Sequence, residues 1–141
     1  MSHDIRIVRL YDSPAENVFD VWVDPAARTQ WYADRPGDEV EAQTDLRVGG
    51  EWFVDFGRPG ERYREHGVFL EIDRPRRLVY TATFTYPDGR TFETTVTVEF
   101  ANHGGKTELT LIEAGYPDEE TRRGHEQGWP GFLDRIADLL V

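Results

Sequence analysis

The sequence predicts an α+β fold, β-α-α-β(6)-α, in which a curved antiparallel sheet wraps around a long C-terminal helix. Three observations predict it. Runs of alternating polarity follow one another through the middle of the chain, separated by turns rich in Gly and Pro. Two helix-start signals lie close together after the first such run. The last segment carries an apolar stripe at helical spacing.

Ile5 to Tyr11 alternates and reads as the first strand, with Ile5, Ile7 and Arg9 on one face. Ser13-Pro14-Ala15-Glu16 then offers a capping Ser, a Pro at the first helical position and a Glu to complete a capping box. Val18, Phe19, Val21 and Trp22 give this helix its apolar stripe. The helix should stop at Asp24-Pro25, because a residue before Pro avoids the α region. The same pair restarts a second short helix, capped by Asp24 and ending at Trp31 and Tyr32.

The strands follow. Val40 to Asp45 is weak, and Val48-Gly49-Gly50 is a turn or bulge. Glu51 to Phe56 alternates, with Trp52, Val54 and Phe56 on one face. After Gly57-Arg58-Pro59-Gly60, Tyr63 to Ile72 is read with His66, Val68, Leu70 and Ile72 sharing the inner face. Arg74-Pro75 ends that strand. Leu78, Tyr80, Ala82, Phe84 and Tyr86 share a face of the next, before the turn Pro87-Asp88-Gly89. Phe92, Thr94, Val96, Val98 and Phe100 do the same, before Asn102-His103-Gly104-Gly105. Leu109, Leu111 and Glu113 lie on the last strand. Short connections between consecutive strands mean hairpins, and clean alternation means one covered and one wet face.

From about Asp118 to Leu140 the chain reads as a helix about 34 Å long, enough to cross the sheet. Trp129, Phe132, Leu133, Ile136 and Leu140 form its stripe. Pro130 removes a backbone hydrogen bond and crowds the preceding turn, so a kink or break is expected near Gly128-Trp129-Pro130-Gly131.

Composition narrows the function. The 141 residues are close to the size of one domain. Lys and Arg number 16 against 27 Asp and Glu, a net charge of −11, which repels phosphate backbones and anionic headgroups. Nucleic acid and membrane surfaces are therefore not expected as partners. Without Cys there are no disulfides, thiolate metal sites or thiol nucleophiles. Met1-Ser2-His3-Asp4 lacks the pattern of a signal peptide, so the expected location is the cytoplasm. Ser2 and Ser13 are the two serines, one terminal and one a cap, and Lys106 is the sole lysine, beside a glycine turn. None suits a nucleophile. His3, His66, His103 and His125 are scattered without metal-ligand spacing, so no metal or other cofactor is expected.

Aromatic residues make up 13% of the chain, with 4 Trp, 6 Tyr and 8 Phe. One helix stripe is too narrow to fill a strongly twisted sheet of about seven strands. The side chains offered to the inner face are large and partly polar: Trp52, Phe56, His66, Tyr80, Phe84, Phe92, Thr94 and Glu113. Trp129 and Phe132 face them from the last helix. Apolar walls with a few convergent polar groups are the usual make-up of a ligand site, whereas a filled core prefers Leu, Ile and Val. These ten residues are the candidate ligand-binding set. His66 and Glu113 could together shuttle a proton. The plainer reading is adopted, in which both sit near the rim, and no residue is assigned as catalytic.

Several segments resemble a known family. Pro14-Ala15-Glu16-Asn17-Val18-Phe19-Asp20-Val21-Trp22-Val23-Asp24-Pro25, followed by Trp31, resembles the start of the activator of heat-shock-protein-90 ATPase homologue-1-like family, within the START-like (SRPBCC, Bet-v-1-like) superfamily. Asp45-Leu46-Arg47-Val48-Gly49-Gly50, Gly67-Val68-Phe69-Leu70-Glu71-Ile72, Thr95-Val96-Thr97-Val98-Glu99-Phe100, Gly105-Lys106-Thr107-Glu108-Leu109-Thr110-Leu111 and His125-Glu126-Gln127-Gly128-Trp129 continue the match. The resemblance implies one START-like domain over residues 1–141, of the helix-grip fold, with a hydrophobic cavity under the last helix. It supplies no catalytic residues for this branch. Its eukaryotic activators carry an additional N-terminal chaperone-binding domain, and this chain starts only a few residues before its first strand, so that co-chaperone role is not expected.

The resulting expectation is a module that binds a small hydrophobic or aromatic molecule. The alternatives are a cyclase or dehydratase on a polyketide-like substrate, using His66, Glu113 or Tyr80 as acid or base, and a stress or chaperone accessory. Self-association into a homodimer stays open.

Overall fold

The computed structural model describes residues 3–140, so Ser2 lies outside the described residues. The chain runs β1 (Ile5–Tyr11), α1 (Ala15–Val23), α2 (Pro25–Trp31), β2 (Glu41–Thr44), β3 (Glu51–Arg58), β4 (Glu61–Asp73), β5 (Arg77–Thr85), β6 (Thr91–His103), β7 (Lys106–Ala114) and α3 (Glu119–Asp138). The seven strands form one antiparallel sheet in the order β1-β7-β6-β5-β4-β3-β2. This is the helix-grip arrangement expected. β1 closes beside β7 rather than beside β2, so the crossover through α1 and α2 sends the chain across the inner face to the far edge.

The α1 signals act differently from the expectation. Pro14, not Ser13, is the N-cap, and no side chain caps the helix. Ser13 Oγ is taken by the Asn17 amide at 3.3 Å instead. Asp24 does cap α2, accepting from the Ala26 N–H at 3.3 Å, with Pro25 in the first turn. Asp118 caps α3 by accepting from the Thr121 N–H at 2.8 Å. The break expected at Pro130 is absent: α3 is one continuous helix through it. Pro130 is exposed, so water can reach the carbonyl that loses its partner one turn back.

The inward faces of β3, β5, β6 and β7 are as the alternation indicates, with Trp52, Val54, Leu78, Tyr80, Ala82, Val96, Val98, Phe100, Leu109 and Leu111 buried. β4 is the exception. Its inner face carries Tyr63, Glu65, Gly67 and Phe69, not His66, Val68 and Leu70. A bulge between Phe69 and Glu71 shifts the pairing with β5, so that Phe69 and Ile72 both reach the core. Gly67 is required there. A Cβ on it would lie 1.7 Å from the Thr81 carbonyl oxygen, and its partner across the ladder is the indole-bearing Trp52.

The helices fill the inner face unevenly. Phe19, Trp22 and Trp31 of α1 and α2 meet Phe100, Trp129 and Phe132, with Trp22 stacked on Trp129 at 5.9 Å. The C-terminal half of α3 is bound firmly. Leu133 and Ile136 are fully buried, the Tyr11 hydroxyl donates to the Leu133 carbonyl at 2.8 Å, and Arg9 pairs with Asp134 at 2.7 Å. Arg135 Nε donates to the Trp31 carbonyl at 2.9 Å, joining α3 to α2. The N-terminal half of α3 lies over the ends of β4, β5 and β6, and space remains beneath it.

Candidate functional site

That space is a cavity of about 670 Å³ between the N-terminal half of α3, the end of α2, and strands β3, β4 and β5. Its walls are Trp31, Tyr32, Phe56, Tyr63, Phe84, Tyr86, Trp129 and Phe132, a near-continuous set of rings. Phe56 stacks on Tyr63 at 5.4 Å, Phe84 meets both, and Tyr32 lies edge-on to Phe56 at 5.2 Å. Gly124 and Gly128, one turn apart on α3, also line it, as do charged side chains that include Glu65, Glu113, Arg35 and Arg90. A Cβ at either would meet no atom within 4 Å, so the two glycines leave room where side chains would otherwise stand.

Two of the carboxylates lining this space are hydrogen-bonded to aromatic side chains. Glu113 of β7 is 4% exposed, and each of its oxygens is occupied. Thr94 donates to one at 2.6 Å; the other accepts from the Trp129 indole at 2.9 Å and from the Tyr116 hydroxyl. Glu113 therefore ties α3 and the loop before it to the sheet. Glu65 of β4 is different. It accepts one hydrogen bond, from the Tyr32 hydroxyl, and forms no ion pair among the described residues. Burial, reinforced by the charge of Glu113, pushes its carboxyl up to about 7 against the pull of Tyr32 and Arg28.

Arg28 is 1% exposed in the core behind Tyr32. Its guanidinium lies 4.7 Å from the Trp52 ring centroid and its Nε donates to the Trp22 carbonyl at 2.9 Å, while Nη1 has no partner. His125, on α3, is held among Phe84, Phe92, Tyr86 and Tyr116, with Nε2 at 3.1 Å from the Tyr86 hydroxyl. Burial pushes its imidazole below the usual value, with Glu113 opposing.

Of the ten residues expected at a ligand site, the fold brings Phe56, Phe84, Glu113, Trp129 and Phe132 to the cavity. Phe92 and Thr94 stand behind them, Phe92 stacked on Phe84 at 5.8 Å and Thr94 bonded to Glu113. Trp52 and Tyr80 belong to the packed core: Tyr80 accepts from the Trp22 indole at 3.1 Å, and burial drives its hydroxyl far above the ordinary range. The region around Tyr80 is thus solid protein, and the cavity lies to one side of it. His66 is on the opposite face of the sheet, exposed in a groove with Arg64, Thr81 and Thr83. The β4 register puts it there, and it cannot exchange a proton with Glu113.

The alternation missed Glu65, Tyr32 and His125. For His125 a signal exists: it extends the Trp129–Phe132 stripe one turn toward the start of α3. For Glu65 the clue is Gly67, since a glycine inside a strand marks a bulge or a close backbone approach. Among the described residues no group of acidic and histidine side chains has the geometry of a metal site. No helix among the described residues is long and apolar enough to cross a membrane.

Comparison with known proteins agrees with this architecture. No curated protein matches the chain. Among solved structures, a Chromobacterium violaceum protein is 26% identical with a TM-score of 0.87, the match covering 98% of this chain and 96% of that one. The AHSA1 protein of Silicibacter pomeroyi is 29% identical at a TM-score of 0.81, over 97% and 96% of the two chains. A Rhizobium loti protein is 27% identical at 0.83, over 98% and 96%. The family model described as Activator of Hsp90 ATPase homolog 1-like protein matches residues 12–141, and the chain belongs to that family.

Proposed function

We propose that this protein binds a small hydrophobic or aromatic molecule in the cavity between the sheet and α3. The observation that carries the reading is the aromatic wall around about 670 Å³ of space, within the range of drug-sized ligand sites. Gly124 and Gly128 support it. Glycine in a helix interior costs roughly 0.5–1 kcal/mol relative to Ala, and here both positions stand in open space along the cavity lining. Native mass spectrometry against lipid, flavonoid and polyketide panels tests the reading. A Gly124→Leu/Gly128→Leu variant should keep or raise its thermal midpoint, since open space surrounds both positions and Leu favours the helix, and lose the ligands. Equal binding by this plugged variant would place them elsewhere.

One observation favours an enzyme instead: Glu65, near neutrality beside the aromatic wall, is suited to acid–base work. Such a cyclase or dehydratase would use Glu65 rather than His66 or Tyr80. Recovery of the panel ligand unchanged in both mass and chromatographic retention after incubation supports binding alone; a change in either that Glu65→Gln abolishes supports the enzyme.

A further inference from the structure

We infer that the cavity selects organic cations, hydrophobic molecules carrying a quaternary or protonated amine, with Glu65 as their counter-charge. This rests on the cavity being a ligand site and adds the ligand's chemical class.

The argument begins with the charge of the lining. Seven carboxylates line the cavity against two guanidiniums, those of Arg35 and Arg90. Arg90 is already engaged, paired with Asp88 at 2.8 Å and lying over the Tyr86 ring at 4.5 Å. His125 contributes little positive charge, because burial favours its neutral form. Of the two carboxylates hydrogen-bonded to the ring wall, the less committed is Glu65; Asp38, in the loop after α2, also keeps one oxygen without a partner. Glu113 spends both oxygens on Thr94, Trp129 and Tyr116, whereas Glu65 has only the Tyr32 hydroxyl. Arg28 lies in the core and forms no ion pair with it.

The walls supply the second half. A cation is attracted to ring faces within about 6 Å, most strongly where water is excluded. Tyr32, Phe56, Tyr63, Phe84, Trp129 and Phe132 surround the space that Glu65 faces. A cationic guest gains from the rings and neutralises the carboxylate together. A neutral guest leaves the carboxylate either charged and unpaired or protonated. An anionic guest meets repulsion from Glu65 and Glu113.

Titration calorimetry of the full chain with three probes of one shape tests the inference: naphthylmethyl-trimethylammonium, its uncharged carbon isostere and naphthylacetate. The cation should bind at least about tenfold more tightly than the isostere, and the anion more weakly than either. Its affinity should rise with pH through about 7, as Glu65 ionises. The groups acting on Glu65 are Tyr32 at the end of α2, Arg28 on α2, and Glu113 on β7, with Tyr80 of β5 close by. The quaternary probe has no proton to lose, and Glu65→Gln separates this dependence from that of His125. In Glu65→Gln the preference for the cation should largely vanish while isostere binding persists. Equal affinity for cation and isostere in the unmodified protein would overturn the inference and leave the cavity reading standing, without relying on the variant. A preference that survives Glu65→Gln would also overturn it. No binding of any probe would count against both.

Discussion

Glu65 stands between Tyr63 and Gly67 on the inner face of β4, and its position has a thermodynamic signature. The folded protein holds its proton up to about 7, against 4.5 for the free side chain. Between those two pH values the folded state binds more protons than the unfolded chain, so stability falls as pH rises from about 4.5 to about 7. The loss has an upper bound on the order of 3 kcal/mol. Glu65→Gln should flatten this stretch of the stability–pH profile, as measured by urea unfolding at a series of pH values. The same residue marks a limit of reading the sequence. In His66-Gly67-Val68-Phe69-Leu70 either alternate set looks inward, and His66, Val68 and Leu70 are the more regular choice. The bulge after Phe69 resets the alternation, and a bulge depends on a strand pairing that the local sequence does not contain. Phe56, Phe84, Glu113 and Trp129 were legible because their strands or helix keep an unbroken period.

At the scale of the element, α3 combines a fixed half and a bridging half. Its stripe was readable from Trp129 onward, but not how Pro130 would be accommodated, because exposure of that turn is a tertiary property. The bridging half carries Gly124 and Gly128, both without neighbours within 4 Å. A methyl group at Gly128 meets no steric resistance and restricts the unfolded chain. Gly128→Ala should therefore raise stability by roughly 0.5–1 kcal/mol, read from the chemical denaturation midpoint at unchanged slope. A loss of stability would mean that the glycine serves the backbone of α3 rather than the cavity. α1 and α2 were legible from their Pro and Asp signals, although the role given to Ser13 passed to Pro14 and left that helix without a side-chain cap.

For the whole molecule, strand count and the order of β2 to β7 follow from the hairpin pattern, while the cavity's position follows from how three helices share one sheet. Trp22, Trp52 and Arg28 fill the region around Tyr80, so the open volume moves to the end of β4 and β5. No local pattern encodes that division of space. The net charge of −11 also acts at this scale, since self-repulsion disfavours the compact state. Moderate NaCl should raise the thermal midpoint by screening it, as followed by circular dichroism. A midpoint lowered by salt would mean that ion pairs such as Arg9–Asp134 outweigh the excess of like charge.

The family match begins at residue 12, one position after β1 ends. Yet β1 pairs along its whole length with β7, from Ile5 opposite Glu113 to Tyr11 opposite Thr107. It also supplies the Tyr11 and Arg9 contacts that hold the closing helix. A gene fragment trimmed to the family boundary would leave β7 as a raw rim, open to strands from other molecules. The stretch outside the family match is the one that seals the sheet and latches its closing helix.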